Sequence, residues 1–386
     1  MSSNLATTSN MQLVYASESE WGQAPQGDYS ALRIKGQSLD LNKASTESAE
    51  IRSDRNITDV VDTSLEAGGQ IDFELSIGSY DELFAGSLFN EWSETLNIDI
   101  DTREIIVAAE TNELIHTGLE EVFKDISIGQ WIKLTSDLNN GYYQVINNSG
   151  DRVTLSGDPL IDDQPSQLQI TGSHIRNGIQ PKSYTIERQH LGIEQYFLFT
   201  GMFVSQMSLN FASEAMLEGS FTFLGKDAVR SDERDVTNIL PAPTTPNTNS
   251  VDNFGVLRES GTTQGYIKSL TLEIDNNLRG QKAIANVGLV GVASGRCRVS
   301  GRLEAYFQDG ALYNKFRDGT PISLDWRLTD NLGNTLISTL PKCKLSNGSI
   351  SAGSADEDVM ATFDFQAILD EATQCSIQLD RFEGDS

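Results

Sequence analysis

The sequence predicts a mainly β protein with two related β-sandwich or barrel modules, each carrying a short helix, plus a small inserted β-barrel domain. Three observations carry that prediction. Short runs of alternating apolar and polar residues occur throughout the 386 residues. A set of these runs recurs in the same order later in the chain, the first of them about 232 positions on. One stretch with its own strand and turn signals interrupts the first copy alone.

The repeat opens with Ile34-Lys35 and Ser38-Leu39-Asp40-Leu41-Asn42, which return as Ile267-Lys268 and Thr271-Leu272-Glu273-Ile274-Asp275. Gly69–Leu75 returns as Gly301–Phe307. Strand parity then places Ile71, Phe73, Leu75, Leu303 and Phe307 toward each core. Asp72, Glu74 and Glu304 fall on the opposite, polar face, with Asp40 and Glu273 on the polar faces of the first strands. After each block comes a short helix, Gly78–Phe84 answering Gly310–Phe316. In the first, Ser79 and Glu82 have capping-box spacing, and Tyr80, Leu83, Phe84 and Leu88 form an apolar stripe. Finally Val204–Phe223 matches Leu345–Phe365, with Leu209 answering Ile350.

Residues of about 95–180 have no counterpart in the second copy. There Gln130–Leu134, Tyr142–Ile146 and Val153–Leu155 read as strands, with turns at Asn140-Gly141 and Ser149–Asp151. Between the copies, Pro241, Pro243 and Pro246 among Thr, Asn and Ser have the composition of an extended linker. The expected organisation is a first module of 1–94 plus 181–228, an insertion of 95–180, a linker of 229–264 and a second module of 265–386.

Composition narrows function. With 28 Lys+Arg against 55 Asp+Glu, the formal charge of −27 makes the average surface repel nucleic acid and anionic membrane. There is no apolar run long enough to span a bilayer, and Met1–Asn10 lacks signal-peptide character, so a soluble protein made in a cytoplasm is expected. Three widely spaced cysteines, Cys297, Cys343 and Cys375, read as reduced thiols.

No catalytic pattern emerges from the chemistry-bearing residues. His116, His174 and His190 lie in no metal-binding pattern, and Gly288–Gly295 lacks the Lys-Ser/Thr of a phosphate loop. Acid pairs such as Asp99 with Asp101, or Asp72 with Glu74, sit two apart on strands, as a solvated acidic face would. Trp131, Tyr142 and Tyr143 suggest either the packing of a small barrel or an aromatic platform for sugar. No catalytic residue, metal or cofactor is expected. Two functional readings stay open at this point, a carbohydrate-binding or adhesin protein and a glycoside hydrolase.

Together Glu50–Arg55, Gly69–Leu75 and Tyr80–Phe84, then Tyr184–Arg188, Gln195–Phe197, Phe199–Gly201 and Gly219–Lys226, resemble the tail tube proteins of long-tailed, siphovirus-like bacteriophages. The second copy departs from that pattern, with Ile284–Val287 where the first has Arg52–Arg55. The resemblance implies a virion protein, assembled in the host cytoplasm, whose modules join six to a ring around a channel. Two modules per chain then imply three chains per ring, stacked into a tube. Implied partners are further copies of the chain, the tape measure and the tail terminator and tip proteins; DNA passes without specific binding, and no membrane is involved.

Within that picture Asp40, Asp72, Glu74, Glu273 and Glu304 are expected to line the channel. The charge-dense stretch Lys43–Thr63, with Glu47, Glu50, Arg52, Asp54, Arg55 and Asp59, is expected to form an arm touching the next ring. The insertion is expected outside the tube and dispensable for it. Three chains of −27 each would carry about −81, a wall that repels phosphate.

Overall fold

The alternation seen in the sequence becomes antiparallel pairing almost everywhere in a computed structural model of the chain, which describes residues 7–100, 103–353, 355 and 357–384. The first strands are β1 (Met11–Ser17), β2 (Asp28–Leu32), β3 (Gly36–Gln37), β4 (Asp40–Glu47) and β5 (Val60–Glu74), followed by helix α1 (Asp81–Leu88). Then come β6 (Leu96–Ile100), β7 (Ile105–Ala108), β8 (Glu113–His116), β9 (Trp131–Thr135), β10 (Asn140–Asn148), β11 (Arg152–Gly157) and β12 (Leu168–Arg176). The chain continues through β13 (Ser183–His190), β14 (Gln195–Ala212), β15 (Glu218–Gly225), β16 (Asp227–Ser231), β17 (Asn238–Leu240), β18 (Phe254–Glu259) and β19 (Thr262–Thr263). It ends with β20 (Ile267–Asp275), β21 (Arg279–Gln281), β22 (Gly291–Ala293), β23 (Arg298–Tyr306), α2 (Ala311–Asp318), β24 (Ile322–Thr329), β25 (Thr335–Ser351), β26 (Met360–Ala367) and β27 (Gln378–Phe382).

Two runs of four strands share one register. In β4-β5-β15-β14, Gly69 stands opposite Phe223, and Leu209 opposite Gly219. In β20-β23-β26-β25, Gly301 stands opposite Phe365, and Ile350 opposite Ala361. These are the residues that the sequence aligns. The two runs are joined edge to edge, β14 pairing with β20 from Gln206 opposite Asp275 to Ala212 opposite Ser269. One antiparallel sheet of eight strands results.

Both long strands leave this sheet at a register shift, near Val204–Gln206 in β14 and Ser346–Ser349 in β25. Their first halves belong to a second layer, where β14 pairs with β13 and β16, and β25 with β24 and β27. Between the layers lies a single apolar core that runs through both halves of the chain. Phe73 stacks on Phe221 at 4.7 Å between centroids, and Phe211 from the first half meets Trp326 of the second at 5.8 Å. Each such ring buried contributes about 1.5–3 kcal/mol.

The two helices differ in burial. Leu83, Phe84 and Leu88 of α1 are buried, whereas no residue of α2 is, and Phe307 just before α2 is 38% exposed where a core position was expected. The capping box also fails. Tyr80 caps α1 without a side-chain bond, because the Ser79 hydroxyl is engaged with Ser76 and Thr245 while Glu82 pairs with Lys182.

Strands β6 to β12 wrap their own core, from Ile105 to Ile170. The turn expected at Asn140-Gly141 lies earlier, at Ser136–Asn139, where the Ser136 hydroxyl accepts the Asn139 N–H and leaves Asn140 to begin β10. The far end of β12 pairs with β27, Ser173 opposite Arg381. Segment 229–264, expected as a linker, is extended but lies along the sheets. Its β17 runs parallel to β2, its β18 pairs with β24, and its polar residues bond to the first half.

Candidate functional site

Without a catalytic cluster, the candidate site is a surface: the face of the eight-strand sheet turned away from the core. Parity makes it polar. Asp72, Ser220, Ser208, Glu273, Ser300, Gln366 and Lys344 stand opposite one another in a single row across seven strands. The next row runs from Glu74 through Glu218, Asn210, Thr271 and Arg302 to Asp364. Behind them Ile71, Phe221, Met207, Ile274 and Val299 fill the core.

All five expected channel acids fall on this face. Asp40 and Glu273 are exposed; Asp72, Glu74 and Glu304 are half-buried at its surface. Asp72 accepts a hydrogen bond from the Gln70 amide, Glu74 from Asn247, and Glu304 from the Ser269 hydroxyl at 3.2 Å. Composition did not reveal the cations among them. Arg302 pairs with Asp364 at 2.7 Å and holds its carboxyl below the usual range, while Lys35 pairs with Glu218. Asp40, Asp72 and Glu273 have no ion-pair partner among the described residues.

The charge-dense stretch is a hairpin arm. Strands β4 and β5 pair out to Glu47 opposite Val60, and residues 48–59 close the tip. Glu47, Glu50, Arg52, Asp54, Arg55 and Asp59 are all exposed there. Arg52 binds Asp54 at 2.7 Å and brings its carboxyl down to about 2. What charge counting missed is that the arm is also apolar: Ile51 is 99% exposed, and Ile57, Val60 and Val61 are exposed beside it.

Which sheet edges stay open was not legible in the sequence. The outer edge of β4 and that of β25 from Asn347 onward have no strand partner among the described residues. Just before β4 the backbone of Leu39 points outward: its N–H donates to Gln37 Oε1 at 2.9 Å, and its carbonyl accepts from Arg188 Nη1 at 2.7 Å. Side chains stand where a strand would be.

The sugar-platform reading loses its surface. Trp131 and Tyr143 are each 3% exposed, and the Arg258 and Arg327 guanidinium groups cover Trp131 and Tyr142. Of the acid pair Asp99 and Asp101, the second lies outside the described residues. Burial keeps the His174 imidazole neutral, its pKa driven down to about 4, and pushes the Cys343 thiol up to about 12. Neither is poised for chemistry at neutral pH.

A polar sheet face, open edges and a projecting arm are what an assembling subunit presents, and a comparison with known families agrees. The family described as phage tail tube protein matches residues 8–367. The chain belongs to the phage tail tube protein family. No curated protein matches the sequence. The match takes in the arm, the insertion and all eight strands of the sheet, stopping before β27. As a tail tube protein the chain has a structural role in a tailed-phage virion and is not an enzyme.

Proposed function

We propose that the chain is a two-module tube subunit of a long-tailed, siphovirus-like phage, three copies of which close a ring whose polar sheet face lines the channel for genome delivery. One observation carries this reading: the seam between β14 and β20 inside the chain has a matching pair of open edges at the two ends of the same sheet. Leu209 and Leu272, opposite each other in the seam, correspond to Ile350 on β25 and to Leu39, the residue that leads into β4. Pairing β4 of one copy with β25 of the next repeats the seam, places Leu39 opposite Ile350, and is head-to-tail, the arrangement that closes rings. Equal registers in the two four-strand runs support a duplicated module.

Three sheets of eight strands give about 24 strands, about 115 Å around at roughly 4.8 Å each, hence about 37 Å across before strand tilt widens the bore. Asp40, Asp72, Glu74, Glu273 and Glu304 then face passing DNA, an acidic wall with a few neutralised acids that gives phosphate no hold. The arm carrying Arg52 and Arg55 projects from the sheet and is assigned to the neighbouring ring, with Ile51 and Ile57 as its apolar contacts. The tape measure inside the tube, and terminator and tip proteins at its ends, are the further partners of this reading.

A reconstruction of tubes assembled from the purified protein tests it. Three chains per ring are expected, with the Asp72–Glu273 row on the inner wall. Six chains per ring, or that row on the outer wall, would contradict the proposal.

A further inference from the structure

Each half of the chain has a notch between the end of its β5-type strand, its helix and the start of the β15-type strand, and the two notches are in different states. In the first half it is filled. Thr248 donates its N–H to the Leu75 carbonyl at 2.8 Å and accepts from the Leu217 N–H at 3.0 Å, and Asn249 bridges to Met216. Asn247 bonds to both Glu74 and Arg33, and Thr245 meets Ser79. These are the residues that lead the chain onward into β18.

In the second half the notch is open. The Phe307 N–H donates to the Val359 carbonyl as Leu75 does to Leu217, so the frame is the same. Yet the Phe307 carbonyl and the Val359 N–H, which correspond to the groups that Thr248 bonds, have no partner among the described residues. A groove of about 290 Å³ lies there, lined by Tyr266, Tyr306, Phe307, Leu312, Tyr313 and Phe363. Tyr266 is 52% exposed, and Tyr306, Phe307, Tyr313 and Val359 are exposed around it. Exposed aromatic side chains beside unpaired backbone groups mark a contact surface.

The register says what covers it. Met11 stands opposite His190 as Phe254 stands opposite Leu328, and the Asn10 carbonyl accepts from Leu191 as that of Asn253 does from Thr329. The approach to β1 therefore matches the approach to β18 at a separation of 243 positions, and Asn247, Thr248 and Asn249 correspond to Asn4, Leu5 and Ala6. Chemistry follows the correspondence. The first notch offers Arg33, Glu74 and Ser79 and takes polar residues; at the same places the second offers Tyr266, Tyr306 and Ala311, and the matching segment brings Leu5.

We propose that the residues leading into β1 of a second copy, Asn4–Thr7, fill the aromatic groove beside α2 and latch one subunit to the next. The occupant belongs to another copy because, in the internal seam, the filling segment enters the module whose β20 pairs with the filled module; beyond β25, that module is β4 of the next chain. The inference rests on the ring reading above. In it Leu5 sits against Phe307 and Val359, and Ala6 bridges to Asp358 as Asn249 does to Met216.

The test uses the full chain with Cys297 replaced by Ser. Rings are first sought by electron microscopy; their absence would remove the ring reading and this inference with it. In preparations that form rings, mixing A6C chains with D358C chains and oxidising should give a disulfide between the two kinds of chain. Deleting residues 2–6 should lower ring yield about tenfold or more, from two lost backbone hydrogen bonds and the lost burial of one leucine, with circular dichroism unchanged. Rings without that disulfide would overturn the latch while leaving the ring reading intact. So would a chain carrying both A6C and D358C that forms the link within itself at a rate independent of concentration.

Discussion

Replacing Ile350 with Pro should leave a folded chain that no longer assembles. In the internal seam the Ser213 N–H donates to the Lys268 carbonyl at 3.0 Å, so the alternate pairs, Leu209 with Leu272 among them, are the hydrogen-bonded ones, and Ile350, the counterpart of Leu209, presents its N–H and carbonyl outward in the proposed joint. Proline removes the outward donor and fills its place with a ring, a change that edge positions tolerate in a monomer and that strand addition does not. Ile350 is 39% exposed, so little core is lost. Sedimentation should show monomers where the parent protein forms rings, with melting within about 3 °C of the parent, as expected of a change costing under about 1 kcal/mol. Rings at parental yield would show that this edge is not a joint.

Trp131→Ala should be the most destabilising single change in the insertion, by about 3–5 kcal/mol. Its ring is buried among Ile337 and Phe382 of the second half, its Nε1 donates to Thr339 Oγ1 at 3.0 Å, and its N–H donates to Asp380 at 3.0 Å. Arg176 adds bonds to Gln378 and the Thr373 carbonyl. The interface thus contains a fully buried carboxyl, Asp380, whose pKa burial raises to about 8. Opening the interface exposes apolar surface and strips that carboxyl of a donor. The melting temperature should fall on the order of 10 °C, read by calorimetry; a fall of under about 2 °C would mean that the insertion merely rests on β27. The same contacts argue against the sequence-based expectation that the insertion is dispensable, since its removal would leave Asp380, Gln378 and Thr339 without their partners.

Period-2 alternation makes the sheet readable from the sequence. It places Asp72 and Glu74 on the face opposite Ile71 and Phe73, because a strand leaves each residue two choices of face and burial decides between them. The five acids share one face for that reason. Phe307 was misplaced because its environment depends on what covers the notch, which strand parity does not encode. The capping box at Ser79 failed for a similar cause: a hydroxyl that could cap α1 is claimed by Thr245, 166 residues away. Composition pointed to a loose linker at 229–264, yet the same Thr and Asn residues that favour extension also supply the donors that tie it down. Which strands form the open edges was not legible because an unpaired strand and a paired one can share a sequence pattern.

The central claim is that the seam between β14 and β20 is repeated between copies in the same register, and one disulfide pair tests it most directly. Ser208 opposite Glu273 in the seam corresponds to Ser349 and Asp40 at the open edges, both exposed. At a directly opposed, non-hydrogen-bonded pair the Cα atoms lie about 4.5 Å apart, within disulfide reach. Chains carrying D40C, S349C and C297S should oxidise to covalent dimers and trimers and to nothing larger. A ladder continuing past three chains, or a preferred link from D40C to S351C two residues out of register, would contradict the account.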